Sequence, residues 1–97
     1  SHVRESVEQD HWRACLLAEL EWMAAHIPNR TLTSIFFGGG TPSLMPPSTA
    51  AALIDRATAL FTASPNIEIT LEANPTSVEA DTFAAFKAAG INRVSLG

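Results

Sequence analysis

The residues able to do chemistry fall into three groups. A triple glycine, Gly38 to Gly40, closes the apolar run Ile35-Phe36-Phe37 and is followed by Thr41 and Pro42. Farther on, Glu72 stands in the alternating segment IEITLEANP, and Arg93 and Ser95 stand in RVSLG. His11 and Cys15 are four residues apart in the first apolar-periodic segment. Glycines without Cβ atoms leave backbone N–H and C=O groups free to approach a ligand: the carbonyls can accept from an ammonium and the amides can donate to a carboxylate. Pro42 then restricts Thr41 to extended conformations. The spacing excludes two familiar glycine loops. A phosphate-binding P-loop needs Gly-Lys-Ser or Gly-Lys-Thr where Gly40, Thr41 and Pro42 stand, and a dinucleotide fingerprint needs glycine at Ser43. A tight turn would use fewer glycines, so the stretch reads as a ligand cradle. His11 and Cys15 supply only two donors, too few for a metal centre, and Cys15 beside the apolar stripe reads as a buried structural thiol.

The elements that must position these residues follow from the periods of the apolar pattern. Trp12, Leu16, Leu20, Met23 and Ile27 step by three or four, the stripe of a helix that Pro28-Asn29 ends. LTSIFF reads as a strand. Pro47 suits a first helical position, and Leu53, Ile54, Ala57, Leu60 and Phe61 form the buried side of a second helix that Ser64-Pro65-Asn66 breaks. IEITLEA alternates strictly, Asn74 to Ser77 turn the chain, Phe83 and Phe86 mark a third helix closed by Gly90, and RVSLG begins another strand. The order is α-β-α-β-α-β, which implies parallel strands joined by right-handed crossovers.

Alternation in the second strand is informative in itself. Ile67, Ile69, Leu71 and Ala73 share one face, whereas Glu68, Thr70, Glu72 and Asn74 share the other. A parallel strand covered on both sides would be apolar on both. One face therefore meets helices and the other meets something polar. Either a Glu72 to Arg93 ion pair closes a solvated face, or a curved, barrel-like sheet holds a polar ligand at its strand C-termini.

Composition narrows the classes. With 97 residues, 46% hydrophobic, the chain can bury one small core, and a formal charge of -4 with six dispersed Lys and Arg offers no basic surface for nucleic acid or anionic membranes. One cysteine excludes an internal disulfide, which makes the cytoplasm the default compartment. An opening helix with no preceding strand and an end at Gly97, in a strand, mark residues 1–97 as one partial domain.

Taken together, FFGGGTPSLM, EITLEANPTSV and AGINRVSLG, in that order and spacing, resemble the radical S-adenosylmethionine proteins of the oxygen-independent coproporphyrinogen III oxidase group. IFFGGGTPSL and LEANP look like that group's heme-chaperone branch. The resemblance implies a fragment of a (βα)6 partial TIM-like barrel, lacking an upstream cluster-binding loop and downstream strands. It implies that Gly39, Gly40 and Thr41 line the S-adenosylmethionine site and that Glu72 approaches the same cofactor, with Ser95, Asn74 and Arg93 as neighbours. It also implies a [4Fe-4S] cluster in the parent protein held by three cysteines, which this chain's single Cys15 cannot supply. The expected activity is heme binding and delivery to an accepting protein; the alternative is a dehydrogenase that decarboxylates propionates of coproporphyrinogen III. The isolated segment is expected to be inactive and to self-associate through its sheet edges.

Overall fold

In the computed structural model, residues 2–27, 30–38, 45–73 and 80–96 are described. Residues 28–29, 39–44, 74–79 and Gly97 lie outside them, and with them the expected glycine cradle at Gly39 to Thr41 and the expected turn at Asn74 to Ser77. Six elements alternate: α1 (His2–His26), β1 (Thr31–Phe37), α2 (Pro47–Leu60), β2 (Thr62–Ala73), α3 (Ala80–Ala89) and β3 (Arg93–Leu96). The strands form one sheet in the order β1-β2-β3, with both pairings parallel. Each strand returns beside its predecessor through a helix, as the βαβ pattern requires.

The core lies on one face of this sheet. Ile69 and Leu71 of β2 are buried against Leu53 and Ile54 of α2 and Phe86 of α3, with Met45 and Ile91 from the connections. Trp12, Leu16, Leu17 and Leu20 of α1 pack partly on this cluster. Met23 and Ile27, at the far end of the same stripe, are exposed, and Trp22 is stacked on His26 at the surface. Glu21 of α1 pairs with Arg56 of α2 across the surface of the two helices. Cys15 is exposed, 3.6 Å from His11 Nε2, which corrects its reading as a buried thiol: it lies one position off the inward-facing row.

The local signals act through identifiable groups. Pro47 starts α2 where its missing N–H is not required, after Pro46 in extended conformation. Helix α2 stops at Leu60, and Ser64-Pro65-Asn66 does not end it. Between Leu32↔Ala63 and Ser34↔Glu68, β1 advances two residues while β2 advances five, so these three residues form an outward bulge inside β2. Helix α3 closes as the sequence suggests: Gly90 has φ 122°, its N–H donates to the Lys87 carbonyl, and the Ile91 N–H donates to the Phe86 carbonyl, both at 3.1 Å. This is a Schellman closure, and its accompanying apolar contact is the burial of Ile91 and Phe86 in the core.

Candidate functional site

The opposite face of the sheet carries the polar residues, and register fixes their order. Ser34 lies beside Glu68; Phe36, Thr70 and Arg93 form the next row; and Glu72 lies beside Ser95. One step past the Phe37↔Leu71 pair, Gly38 joins Glu72 and Ser95, so a glycine, a carboxylate and a hydroxyl line up at the C-terminal ends of the three strands. Strand C-termini are where ligand sites collect in parallel α/β sheets, because the loops leaving them diverge.

Arg93 does not pair with Glu72. Its Nη1 donates to Glu68 Oε2 at 3.4 Å, on the N-terminal side of Glu72. The Glu72–Arg93 ion pair considered from the sequence is thus not formed, since Arg93 stands level with Thr70 and leans back along β2. No hydrogen bond or ion pair between described residues ends on Glu72, which is half-buried at the mouth of the sheet. A carboxylate in that position is available to accept from a ligand N–H or O–H.

Gly38 explains part of the glycine run. A Cβ at this position would come within 2.9 Å of Phe36 Cδ1, closer still to Phe36 Cε1, and 3.5 Å from Glu72 Oε2. The absent side chain makes room for the Phe36 ring and for the carboxylate. Phe36 itself is 60% exposed, an aromatic ring on an otherwise polar face. Gly39, Gly40 and Thr41, the other residues expected to line the site, lie outside the described residues.

Asn92 is the residue that sequence reasoning overlooked. Its Oδ1 accepts from the Ile69 N–H at 2.8 Å, its Nδ2 donates to the Ile67 carbonyl at 2.9 Å, and its own N–H donates to the Ile69 carbonyl at 2.9 Å. The side chain thereby extends the β2–β3 ladder one step before β3 begins and fixes the register that sets Ser95 beside Glu72. An asparagine directly before a strand was the available signal, and its turn propensity pointed elsewhere.

Known proteins place this arrangement. The family model of the Radical SAM superfamily matches residues 13–97, and the chain belongs to that superfamily. Its relatives include the bovine "Radical S-adenosyl methionine domain-containing protein 1, mitochondrial", 41% identical over 96 residues, or 99% of this chain and 22% of that protein. The "Heme chaperone HemW" of Mycobacterium tuberculosis is 43% identical over 91 residues, 94% of this chain and 23% of that protein. Among solved structures, the coproporphyrinogen III oxidase HemN from Escherichia coli, a Radical SAM enzyme, superposes with a TM-score of 0.80 at 27% identity over 93% of this chain and 21% of its own. The three parallel strands and their helices match that enzyme's core, and the chain spans about a quarter of the length of these relatives.

Membership of the superfamily implies S-adenosylmethionine and a [4Fe-4S] cluster. The residues present fit the first: a carboxylate without a partner among the described residues, a glycine whose Cβ would fill the space beside it, and a hydroxyl in the same row. They do not fit the second. The chain has one cysteine, exposed on α1 with His11 as its neighbour, and the described residues hold no group of three or more metal-binding side chains. Among the described residues, no helix is long and apolar enough to cross a membrane.

Proposed function

We propose that this chain is part of the S-adenosylmethionine-binding core of a heme chaperone, with Glu72 and the turn Gly39-Gly40-Thr41 as the cofactor contacts. The observation that carries the reading is the row of Gly38, Glu72 and Ser95 at the strand ends, with the Glu72 carboxylate left without a partner among the described residues. In this reading Glu72 accepts from a donor of the ligand, and the glycine turn offers its backbone groups beside it. Bound S-adenosylmethionine would supply a sulfonium, the group from which radical chemistry starts in this superfamily, and this chain's residues would bind and orient it. Resemblance to HemW at 43% identity favours heme, passed to an accepting protein, as the cargo. Residues 1–97 are then one part of a larger barrel core, inactive by themselves, and the apolar groove of ≈ 710 Å³ walled by Trp12, Leu16, Leu20 and Phe61, along the β1 edge that is unpaired among the described residues, supports that reading. The single exposed thiol is as compatible with mitochondria, named for the bovine relative, as with the cytoplasm.

The fold match to HemN favours a second reading, a coproporphyrinogen III dehydrogenase. Titration calorimetry of the full-length protein with S-adenosylmethionine tests the shared site: Glu72→Ala should weaken binding about tenfold, the consequence of losing a charge-assisted hydrogen bond. Unchanged affinity would remove Glu72 from the site. Mass spectrometry of coproporphyrinogen III after anaerobic incubation with cofactor and reductant separates the two readings. Loss of two carboxyl groups would identify the dehydrogenase; an unaltered substrate together with a heme absorption band on titration fits the chaperone.

A further inference from the structure

Phe36 lines the apolar groove along β1, yet its ring also reaches the Gly38 end of the strand. It occupies the polar face of the sheet, 60% exposed, while Ile35 and Phe37 on either side of it turn toward the helices. Its ring leans along the strand over Gly38, where any side chain would collide with it, and the same empty Cβ position lies 3.5 Å from the Glu72 carboxylate. An open aromatic ring and a carboxylate without an ion-pair partner among the described residues therefore border one space. Arg93, the nearest cation on this face by register, is engaged with Glu68 and does not fill it.

We propose that Phe36 is a specificity-determining residue that selects a ligand bearing a positively charged sulfonium. Aromatic rings attract cations through the negative potential of their faces, most usefully for cations with no hydrogen atoms to donate, as in the recognition of quaternary ammonium groups. A sulfonium is such a cation. It is weakly hydrated and donates no hydrogen bond, so a ring that accepts none is its natural neighbour. Ammonium and hydroxyl groups of the same ligand require an acceptor, and Glu72 is that acceptor. Charge complementarity is divided accordingly between a soft partner on β1 and a hard partner on β2. The inference rests on the S-adenosylmethionine reading of the site and adds to it the residue that distinguishes the sulfonium from its neutral thioether.

The test compares S-adenosylmethionine with S-adenosylhomocysteine, which lacks the sulfonium methyl group and its charge, by titration calorimetry on the full-length, anaerobically reconstituted protein. Phe36→Leu, which keeps an apolar side chain of similar size, should reduce the preference for the sulfonium ligand by about 3- to 10-fold and leave thioether affinity within about twofold. Phe36→Trp should retain or increase the preference. Equal weakening of both ligands by Phe36→Leu, an unchanged preference, or loss of all binding in both variants would show a packing role and overturn the proposal. A wild-type protein that binds neither ligand would instead overturn the cofactor reading on which it rests, and the proposal with it.

Discussion

Replacing Asn92 with alanine removes two hydrogen bonds, one accepted from the Ile69 N–H at 2.8 Å and one donated to the Ile67 carbonyl at 2.9 Å, while the backbone bond from Asn92 to Ile69 remains. Each such bond contributes about 0.5–1.5 kcal/mol net. Asn92 is exposed, so water can take over both vacated backbone groups, and the lower half of the summed range applies, about 1–2 kcal/mol. At 1.36 kcal/mol per factor of ten, this corresponds to about a 5- to 30-fold increase in local opening. Hydrogen exchange of the full-length protein reads the effect directly, because the Ile69 amide loses its acceptor. Its exchange should accelerate by that factor, with a smaller change at the Leu71 amide deeper in the sheet. The control is Arg93→Ala, which removes an ion pair whose two side chains are both about two-thirds exposed. Such pairs contribute little, so exchange at Ile69 should stay within about twofold of wild type. Ile69 exchange unchanged in Asn92→Ala, or an equal acceleration in Arg93→Ala, would refute the argument that this side chain holds the β2–β3 register.

Two further outcomes are expected. Gly90→Ala places a Cβ at 3.3 Å from both Cδ1 and Cγ2 of Ile54 on a backbone with φ 122°, so strain and crowding combine; chemical denaturation should show a loss of about 1–3 kcal/mol. Stability equal to wild type would mean that the α3 closure relaxes freely. The 97-residue chain by itself should self-associate, since among the described residues β1 and β3 each pair on one side only and Phe36 and Val94 are exposed beside those edges. Sedimentation velocity giving a single monomeric species across concentrations would contradict this.

The order of elements, the parallel topology and the division of β2 into an apolar and a polar face were all legible in the sequence. Each depends on local periodicity: the alternation from Ile67 to Glu72 specifies which side meets the helices wherever the strand ends up. The Gly90 closure was legible for the same reason, as a short-range geometry only glycine adopts cheaply. The triple glycine and Glu72 could be named as candidates, and their family resemblance pointed to the superfamily that the match over residues 13–97 shows.

Relations between residues distant in the chain were decided only by tertiary structure. Arg93 stands level with Thr70, two residues from both Glu68 and Glu72, so which carboxylate it neutralises is decided by the direction its side chain takes along β2, in a register that Asn92 holds through two backbone contacts that no pattern announces. Whether Ser64-Pro65-Asn66 ends a helix or bulges from a strand depends on where β1 lies alongside it. Cys15 faces outward because α1 meets the core along the row of Trp12, Leu16 and Leu20, and a residue one position away from that row is rotated about a hundred degrees from its line. Local sequence sets what each segment can bury. The packing of one segment on another sets which side chains meet, and therefore why Glu72 stands without a described partner beside Gly38 and the ring of Phe36.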